Sequence, residues 1–215
     1  MTSCCRGAPC EQMFTARSAR KDLARYRQKG LDQLERRMVD SAVGLGLKGA
    51  RVLEIGGGIG KLQVELLEAG AVGGEVAELV GAYGPYAEEL AHERGLDDRA
   101  GFVVADILDD PHSVEPGDVV LLHRVVCCSP DGVELTAAAA RLARRALFVT
   151  YPRDALWTRF GIRLVNLAQK LFGRSFRAFV HPSAALRAAA EAEGLHVTES
   201  ARGPVWELTT FCRDA

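Results

Sequence analysis

The stretch RVLEIGGGIGKLQ, residues 51 to 63, decides the fold. Its first five residues form a short hydrophobic run that is typical of a buried strand, and apolar residues at helical spacing begin at Lys61. A strand that breaks into glycines and leads directly into a helix is a unit of an alternating α/β chain, and its turn is a place where cofactors bind. The spacing of the glycines indicates which kind of cofactor fits.

Strands and helices alternate along most of the chain. Further strands are predicted within residues 72–79, 102–104, 119–122 and 146–151, and helices at residues 61–69, 85–94, 135–144 and 183–193. Two more strands, at residues 195–199 and 205–211, must pair antiparallel, because a parallel crossover needs a dozen or more residues. The sequence therefore predicts an α/β fold: a Rossmann-like, doubly wound, seven-stranded and mostly parallel sheet that ends in an antiparallel hairpin.

Length and composition predict one domain over residues 1–215. At 215 residues and 48% hydrophobic, the chain can bury one core of ordinary size. Residues 11–43 are expected to form a helical extension of two helices hinged at Gly30, and residues 152–181 a helical lid. The N-terminus lacks the apolar core of a signal peptide, so we expect a cytoplasmic protein whose six cysteines are mostly reduced.

The charges are distributed unevenly. A net charge of −1 argues against a general nucleic-acid binder. Basic residues outnumber acidic ones before residue 40 and after residue 136, whereas residues 52–135 are acidic. If both ends cover one mouth of the domain, that mouth is positive and suits an anionic partner. Solvated helix faces account for the same charges equally well.

Two familiar glycine motifs do not fit the turn. A dinucleotide fingerprint requires GxGxxG, but its third glycine position holds Lys61 or Gln63, depending on the starting glycine. A phosphate-binding P-loop requires GxxxxGK and then Ser or Thr, whereas Gly56 lies only four positions before Gly60 and a leucine follows the lysine. A nicotinamide oxidoreductase and a nucleoside-triphosphate enzyme are therefore both disfavoured.

The turn does match an acid, one hydrophobe and GxGxG, formed by Glu54, Ile55, Gly56, Gly58 and Gly60. This pattern resembles motif I of the class I S-adenosylmethionine-dependent methyltransferases. The resemblance implies that the glycine backbone passes close to S-adenosylmethionine. That cofactor has no phosphate and carries an ammonium and a sulfonium, so we expect the Glu54 carboxylate to favour it, whereas a carboxylate would repel a pyrophosphate.

Two further acids occur where this resemblance needs them. Glu78, followed by Leu79, comes close to the roughly 20-residue separation between a glycine fingerprint and its ribose acid. We expect Glu78 to accept both ribose hydroxyls, with Glu75 as the rival. Asp106, followed by Ile107, resembles the acid that receives the adenine amino group. The same sequence would also be found if Asp106 were only a helix N-cap or an acid on the surface.

The methyl acceptor is expected to be a small molecule that is modified at oxygen. Transfer from a sulfonium is an in-line displacement, so the protein mainly positions and desolvates the reactants. A carboxylate acceptor needs no catalytic base, whereas a phenol or an alcohol does. The candidates are His123 and Tyr151, each at the end of a strand, and more distantly His181. His123 is also a candidate for lining the cofactor.

Two segments add a narrower resemblance, to the magnesium-protoporphyrin O-methyltransferase-like group: VVLLHRVVCCSPD at residues 119–131 and LFGRSFRAFVHP at residues 171–182. That group esterifies a propionate, which would make the acceptor anionic and apolar. Here Cys127, Cys128 and Ser129 occupy the place of the group's characteristic tyrosine, so the porphyrin substrate is not carried over.

Three alternatives stay open at this stage. The aromatic and arginine-rich residues 157–179 fit a lid, a helix on a membrane surface, or a cap packed on the domain. A cofactor-binding module without turnover would share every motif named above. The cysteines could gather a metal, but the chain has no CxxC pair and adjacent cysteines are awkward ligands for one ion, so no metal is expected.

Overall fold

A computed structural model describes residues 8–214 and begins with three helices. They are α1 (Ala8–Met13), α2 (Ala16–Lys29) and α3 (Gln33–Gly44). The predicted break at Gly30 is confirmed, since this residue ends α2 with a φ of 64°. The prediction of only two helices was wrong, because Thr15 accepts a hydrogen bond from the Ser18 N–H and starts a new helix there.

The seven predicted strands form one sheet. They are β1 (Arg51–Ile55), β2 (Gly73–Glu78), β3 (Ala100–Val104), β4 (Gly117–His123), β5 (Ala143–Pro152), β6 (Leu195–Arg202) and β7 (Trp206–Arg213). Their order is β3-β2-β1-β4-β5-β7-β6, and only β7 runs antiparallel to its neighbours. The mostly parallel sheet with a C-terminal antiparallel hairpin is therefore confirmed.

Five further helices complete the described chain: α4 (Lys61–Glu68), α5 (Gly84–Glu93), α6 (Gly132–Leu142), α7 (Leu156–Leu171) and α8 (Ser183–Ala192). Helix α6 ends two residues earlier than predicted because Ala143 already pairs with Gly117 of β4 as a strand residue. Within residues 8–214, no helix has the length and apolar composition that crossing a bilayer requires.

Two apolar cores lie on opposite faces of the sheet. One contains side chains of α2 to α5, such as Leu23, Met38 and Leu62, and the other contains side chains of α6 and α8, such as Ala139 and Leu186. Helices therefore cover both faces of the sheet and bury the hydrophobic side chains on each side of the strands. The strand order reverses between β1 and β4, so a crevice opens at their carboxyl ends, where ligands bind in such sheets.

Candidate active site

The glycine turn forms the floor of this crevice. Gly56, Gly58 and Gly60 have φ values of 64°, 59° and 70°, a left-handed conformation that other residues rarely adopt. A Cβ atom on Gly56 would lie 2.6 Å from a methyl carbon of Val125, which follows β4. Glycine at this position therefore lets the loops after β1 and β4 approach each other closely.

A cavity of about 260 Å³ lies above the turn, between the sheet and the N-terminal helices. Apolar side chains of Phe14, Ile55, Leu79, Leu108 and Val125 form much of its wall. Its acidic, basic and histidine lining residues are Asp22, Arg25, Glu35, Lys61, Glu78, Asp106, His123 and Arg124. The cavity is thus apolar for most of its surface, with polar groups at a few defined positions, as is usual for small-molecule sites.

Glu78 connects β2 to the glycine turn. Its Oε2 accepts a hydrogen bond of 3.0 Å from the Gly58 N–H, and its Oε1 accepts one of 3.2 Å from the Val80 N–H. Burial raises the pKa of Glu78, although these backbone donors act in the opposite direction. Glu75, the rival acid, lies on the same strand but does not line the cavity. The geometry therefore favours Glu78.

Three other residues that were predicted as cofactor contacts after strands also line the cavity. Leu79 and Ile107 both line it, and Ile107 is buried. Asp106 lines it as well, and its Oδ1 accepts a hydrogen bond of 3.0 Å from the Leu108 N–H. The local role that competed with cofactor binding is therefore real, although Asp106 also lines the cavity.

Glu54 lies elsewhere than expected. The side chain is 2% exposed, does not line the cavity, and accepts a 2.9 Å hydrogen bond from the Gln63 N–H in the first turn of α4. Burial raises its pKa to about 8, so Glu54 is mainly uncharged at neutral pH. The geometry does not support the expectation that its negative charge offsets a cationic cofactor. Gly60 does not line the cavity either.

A polar cluster of Glu35, Lys61 and His123 was not foreseen. Glu35 is 2% exposed, forms an ion pair with Lys61, and its Oε1 lies 3.3 Å from the His123 Nε2. Burial alone would raise the pKa of Glu35, but the adjacent His123 and Lys61 lower it well below its usual range. Lys61 therefore does more than begin a helix. Glu35 also completes the capping box of α3, and that local role hides its tertiary one in the sequence.

His123 ends β4 and faces both the cavity and Glu35. Its Nδ1 lies 3.1 Å from the Thr150 Oγ1, and within residues 8–214 its Nε2 makes no hydrogen bond. Burial lowers the pKa of His123, and the neighbouring Glu35 only partly opposes this. The imidazole is therefore neutral at physiological pH, and the Glu35 carboxylate would stabilise it if it took up a proton.

Within residues 8–214, the cavity wall does not form the positive mouth that the charge distribution allowed. Each of its three basic side chains is paired with a carboxylate: Arg25 with Asp22 at 2.9 Å, Arg124 with Asp32 at 2.8 Å, and Lys61 with Glu35. An anionic acceptor would have to compete with these carboxylates for its positive partner. The cavity therefore suits a neutral, apolar acceptor better than an anionic one.

The two alternative base candidates have structural roles. Tyr151 is fully buried and does not line the cavity, and its hydroxyl lies 2.8 Å from the Thr209 Oγ1. The His181 Nε2 contacts the carbonyl oxygens of Val126 and Ser129, which positions the loop after β4. Neither the catalytic role expected of Tyr151 nor that of His181 has support from the geometry.

Two further expectations concern the insertion and the cysteines. In the described chain, no residue between 152 and 181 lines the cavity, so the insertion does not form a lid over it.

Of the cysteines, Cys10 and Cys128 line the cavity, whereas Cys4 and Cys5 lie outside the described residues. In residues 8–214, the carboxylate and imidazole atoms at metal-ligand spacing belong to Asp32, Glu35 and His123. Arg124 and Lys61 already neutralise those carboxylates.

Comparison with known proteins gives structural likeness alone, since no protein-family model and no curated protein matches the sequence. Magnesium protoporphyrin IX methyltransferase from Synechocystis PCC 6803, solved with bound SAH, is similar at 20% identity and a TM-score of 0.66, over 90% of this chain and 95% of that one. An O-methyltransferase family protein from Burkholderia thailandensis is also similar, at 20% identity and a TM-score of 0.68. The match covers 94% of this chain and 64% of that one.

The [4+2]-cyclase SpnF is also similar, at 13% identity and a TM-score of 0.62 over 83% of this chain and 81% of that one. Since that protein is a cyclase, this architecture is not restricted to methyl transfer. At such identities the likeness concerns the fold, and activity has to be argued from the site. The chain adopts the fold of the class I S-adenosylmethionine-dependent methyltransferases.

Proposed function

We propose that this protein is an S-adenosylmethionine-dependent methyltransferase that methylates an oxygen atom of a small, apolar acceptor. The observation that carries the proposal is the hydrogen bond from the Gly58 N–H to Glu78 on the floor of the cavity. It joins a glycine turn without room for side chains to a half-buried carboxylate, at the carboxyl ends of neighbouring parallel strands. Solved neighbours with bound SAH or SAM support this choice of cofactor.

The lining residues fit the parts of that cofactor. Glu78 would accept the ribose hydroxyls, Asp106 the adenine amino group, and Leu79 and Ile107 would contact the adenine ring. The backbone around Gly56 would lie against the methionine part. When bound, S-adenosylmethionine would supply a methyl group that its sulfonium activates.

The acceptor oxygen would lie beside His123. This imidazole is neutral, so it can take the proton of a hydroxyl acceptor, and Glu35 stabilises the resulting charge. A carboxylate acceptor would need a positive group, and the basic side chains of the cavity are already paired. These observations favour a phenol or an alcohol over a carboxylic acid.

Thermal shift and isotope transfer test the proposal. S-adenosylhomocysteine should raise the melting temperature, whereas NADH should not, and stabilisation by NADH alone would refute the choice of cofactor. Methyl-labelled S-adenosylmethionine, incubated with a panel of phenols, alcohols and carboxylic acids, should label at least one hydroxyl compound. Binding of the cofactor without transfer to any acceptor would instead favour a binding module without turnover.

Substitution of His123 by Gln should lower kcat for a hydroxyl acceptor by roughly 10²- to 10⁴-fold, the usual contribution of a general base. The affinity for S-adenosylhomocysteine should change little, because the proposed cofactor contacts lie on other residues. Steady-state kinetics and calorimetric titration measure the two quantities. Val125→Ala, a change at the same wall without an ionisable group, is the matched control. An unchanged kcat for His123→Gln would show that His123 is not the base.

A further inference from the structure

Residues 155–190 contain no acidic side chain, although the chain has 28 Asp and Glu in 215 residues. The same stretch carries six basic residues, which are Arg159, Arg163, Lys170, Arg174, Arg177 and Arg187. Helix α7 occupies its first half and is followed by residues that lead back towards the sheet. The segment is therefore basic along its whole length, although acids outside it pair with two of these residues, Asp154 with Arg159 and Glu207 with Arg187.

Helix α7 turns its apolar side outward. At about 100° per residue, six large apolar side chains fall within a stripe roughly 100° wide. They are Leu156, Trp157, Phe160, Leu164, Leu167 and Leu171, and they form the apolar stripe. All six are exposed, from 51% at Leu164 to 84% at Leu156. An exposed row of this size on one helix is unusual and indicates a binding surface.

Polar contacts hold the opposite face of α7 against the protein. Thr158 and Gln169 are the buried residues of the helix, and the Asn166 side chain makes 2.8 Å hydrogen bonds to both the N–H and the carbonyl of Ala178. The Trp157 indole N–H also donates to the Pro204 carbonyl at 3.1 Å. These contacts fix the rotation of the helix, so the apolar stripe stays on the outside.

Basic side chains lie along one edge of the apolar stripe. Arg159, Arg163 and Lys170 are exposed and fall within about 60° of it on the helical wheel. A helix with leucine and aromatic residues on one side and Lys or Arg beside them is suited to lie in the interface of a membrane with anionic lipids. A second copy of this chain would be a poorer partner, because a symmetric contact would bring two basic edges together.

We propose that α7 docks this protein on an anionic lipid surface, with the apolar stripe in the interface and its basic edge on the headgroups. Docking through α7 does not depend on the methyl transfer proposed for the cavity. The cavity mouth would lie near the membrane, because Phe176, shortly after α7, packs on Phe14 of the cavity wall with ring centroids 5.8 Å apart.

Co-sedimentation with vesicles tests the proposal, using phosphatidylcholine alone and an equimolar mixture with phosphatidylglycerol. The protein should sediment with the mixed vesicles, and less so at high salt. The double substitution Leu164→Ser with Leu167→Ser should weaken binding at least ten-fold. Leu45→Ser with Val72→Ser, at exposed positions of 38% and 52% near the opposite end of the sheet, is the matched control and should bind as the wild type does.

A second variant tests how much the basic edge of α7 contributes to vesicle binding. Arg163→Gln should weaken binding to the mixed vesicles about five-fold, as expected for one basic residue near an anionic surface, whereas Arg144→Gln on β5 should not. Circular dichroism of each variant shows whether it has folded. Failure of the wild type to sediment, or equal sedimentation of the Leu164 and Leu167 double variant, would overturn the proposal. The proposal would also be overturned if the wild type formed a dimer without binding vesicles and the Leu164 and Leu167 double variant did not form that dimer. Vesicle binding that persists in Glu78→Ala separates this inference from the proposed activity.

Discussion

Substitution of Glu78 by alanine should weaken the binding of S-adenosylmethionine by about 100-fold or more. A carboxylate that accepts two ribose hydroxyls makes two charge-assisted hydrogen bonds, each contributing about 1.5–3 kcal/mol. The same change removes the acceptor of the Gly58 and Val80 N–H groups, so the turn beneath the cofactor also loses its support. Calorimetric titration with S-adenosylmethionine or S-adenosylhomocysteine measures the loss directly.

Glu75→Ala is the matched control, because it removes the same side chain from the same strand at a position outside the cavity. Its affinity for the cofactor should equal that of the wild type. Glu78→Gln, which keeps one acceptor oxygen and the shape of the side chain, should bind with intermediate affinity and shows whether the turn survives. Strong binding by Glu78→Ala together with weak binding by Glu75→Ala would reverse the assignment of the ribose acid.

Most of the sheet was predictable from local pattern, because most of the buried strands contain a short hydrophobic run. β1 shows this well: its predicted bounds and the observed Arg51–Ile55 coincide. The ends of α6 and β5 were less predictable, since pairing of Ala143 with β4 overrides the helical pattern there. The break at Thr15 depends on a capping box between Thr15 and Ser18, which an apolar periodicity does not show.

For the candidate site, the sequence located the groups that follow strands and missed those that come from distant helices. Glu78 and Asp106 lie at predictable places because parallel strands bring their carboxyl ends to one edge. Glu35, Phe14 and Arg25 line the cavity only because the N-terminal helices fold over that edge. No spacing rule connects residue 35 to residue 123, so the cluster around His123 is a property of tertiary packing.

Glu54 matches the motif, but its position in the structure suggests a different physical role from the one its sequence predicts. The acid before the glycines is present, but its carboxyl group points to the start of α4 and lies close to Gly57, where an added Cβ would meet it at 2.6 Å. It therefore shapes the turn from below and does not line the cavity. A Gln at this position, which keeps the shape and an acceptor for the Gln63 N–H, should leave cofactor affinity nearly unchanged.

The stability of Glu54→Gln should instead differ from that of the wild type in its dependence on pH. Burial raises the pKa of Glu54 from 4.5 to about 8 in the folded protein, so between these values the folded state holds a proton that the unfolded state has released. The contribution of this group to stability is complete below pH 4.5 and is lost as the pH rises to about 8. The loss amounts to about 1.4 kcal/mol for each pH unit in that window.

Urea unfolding at several pH values between 5 and 8 measures this difference. The free energy of unfolding of Glu54→Gln should rise relative to that of the wild type as the pH increases, because Gln cannot ionise. Glu88→Gln, which removes an exposed carboxylate of α5, supplies the baseline for the loss of a surface charge. Parallel pH profiles for Glu54→Gln and the wild type would mean that Glu54 is ionised in the folded protein. A negative charge beneath the glycine turn would then again be available to favour a cationic cofactor.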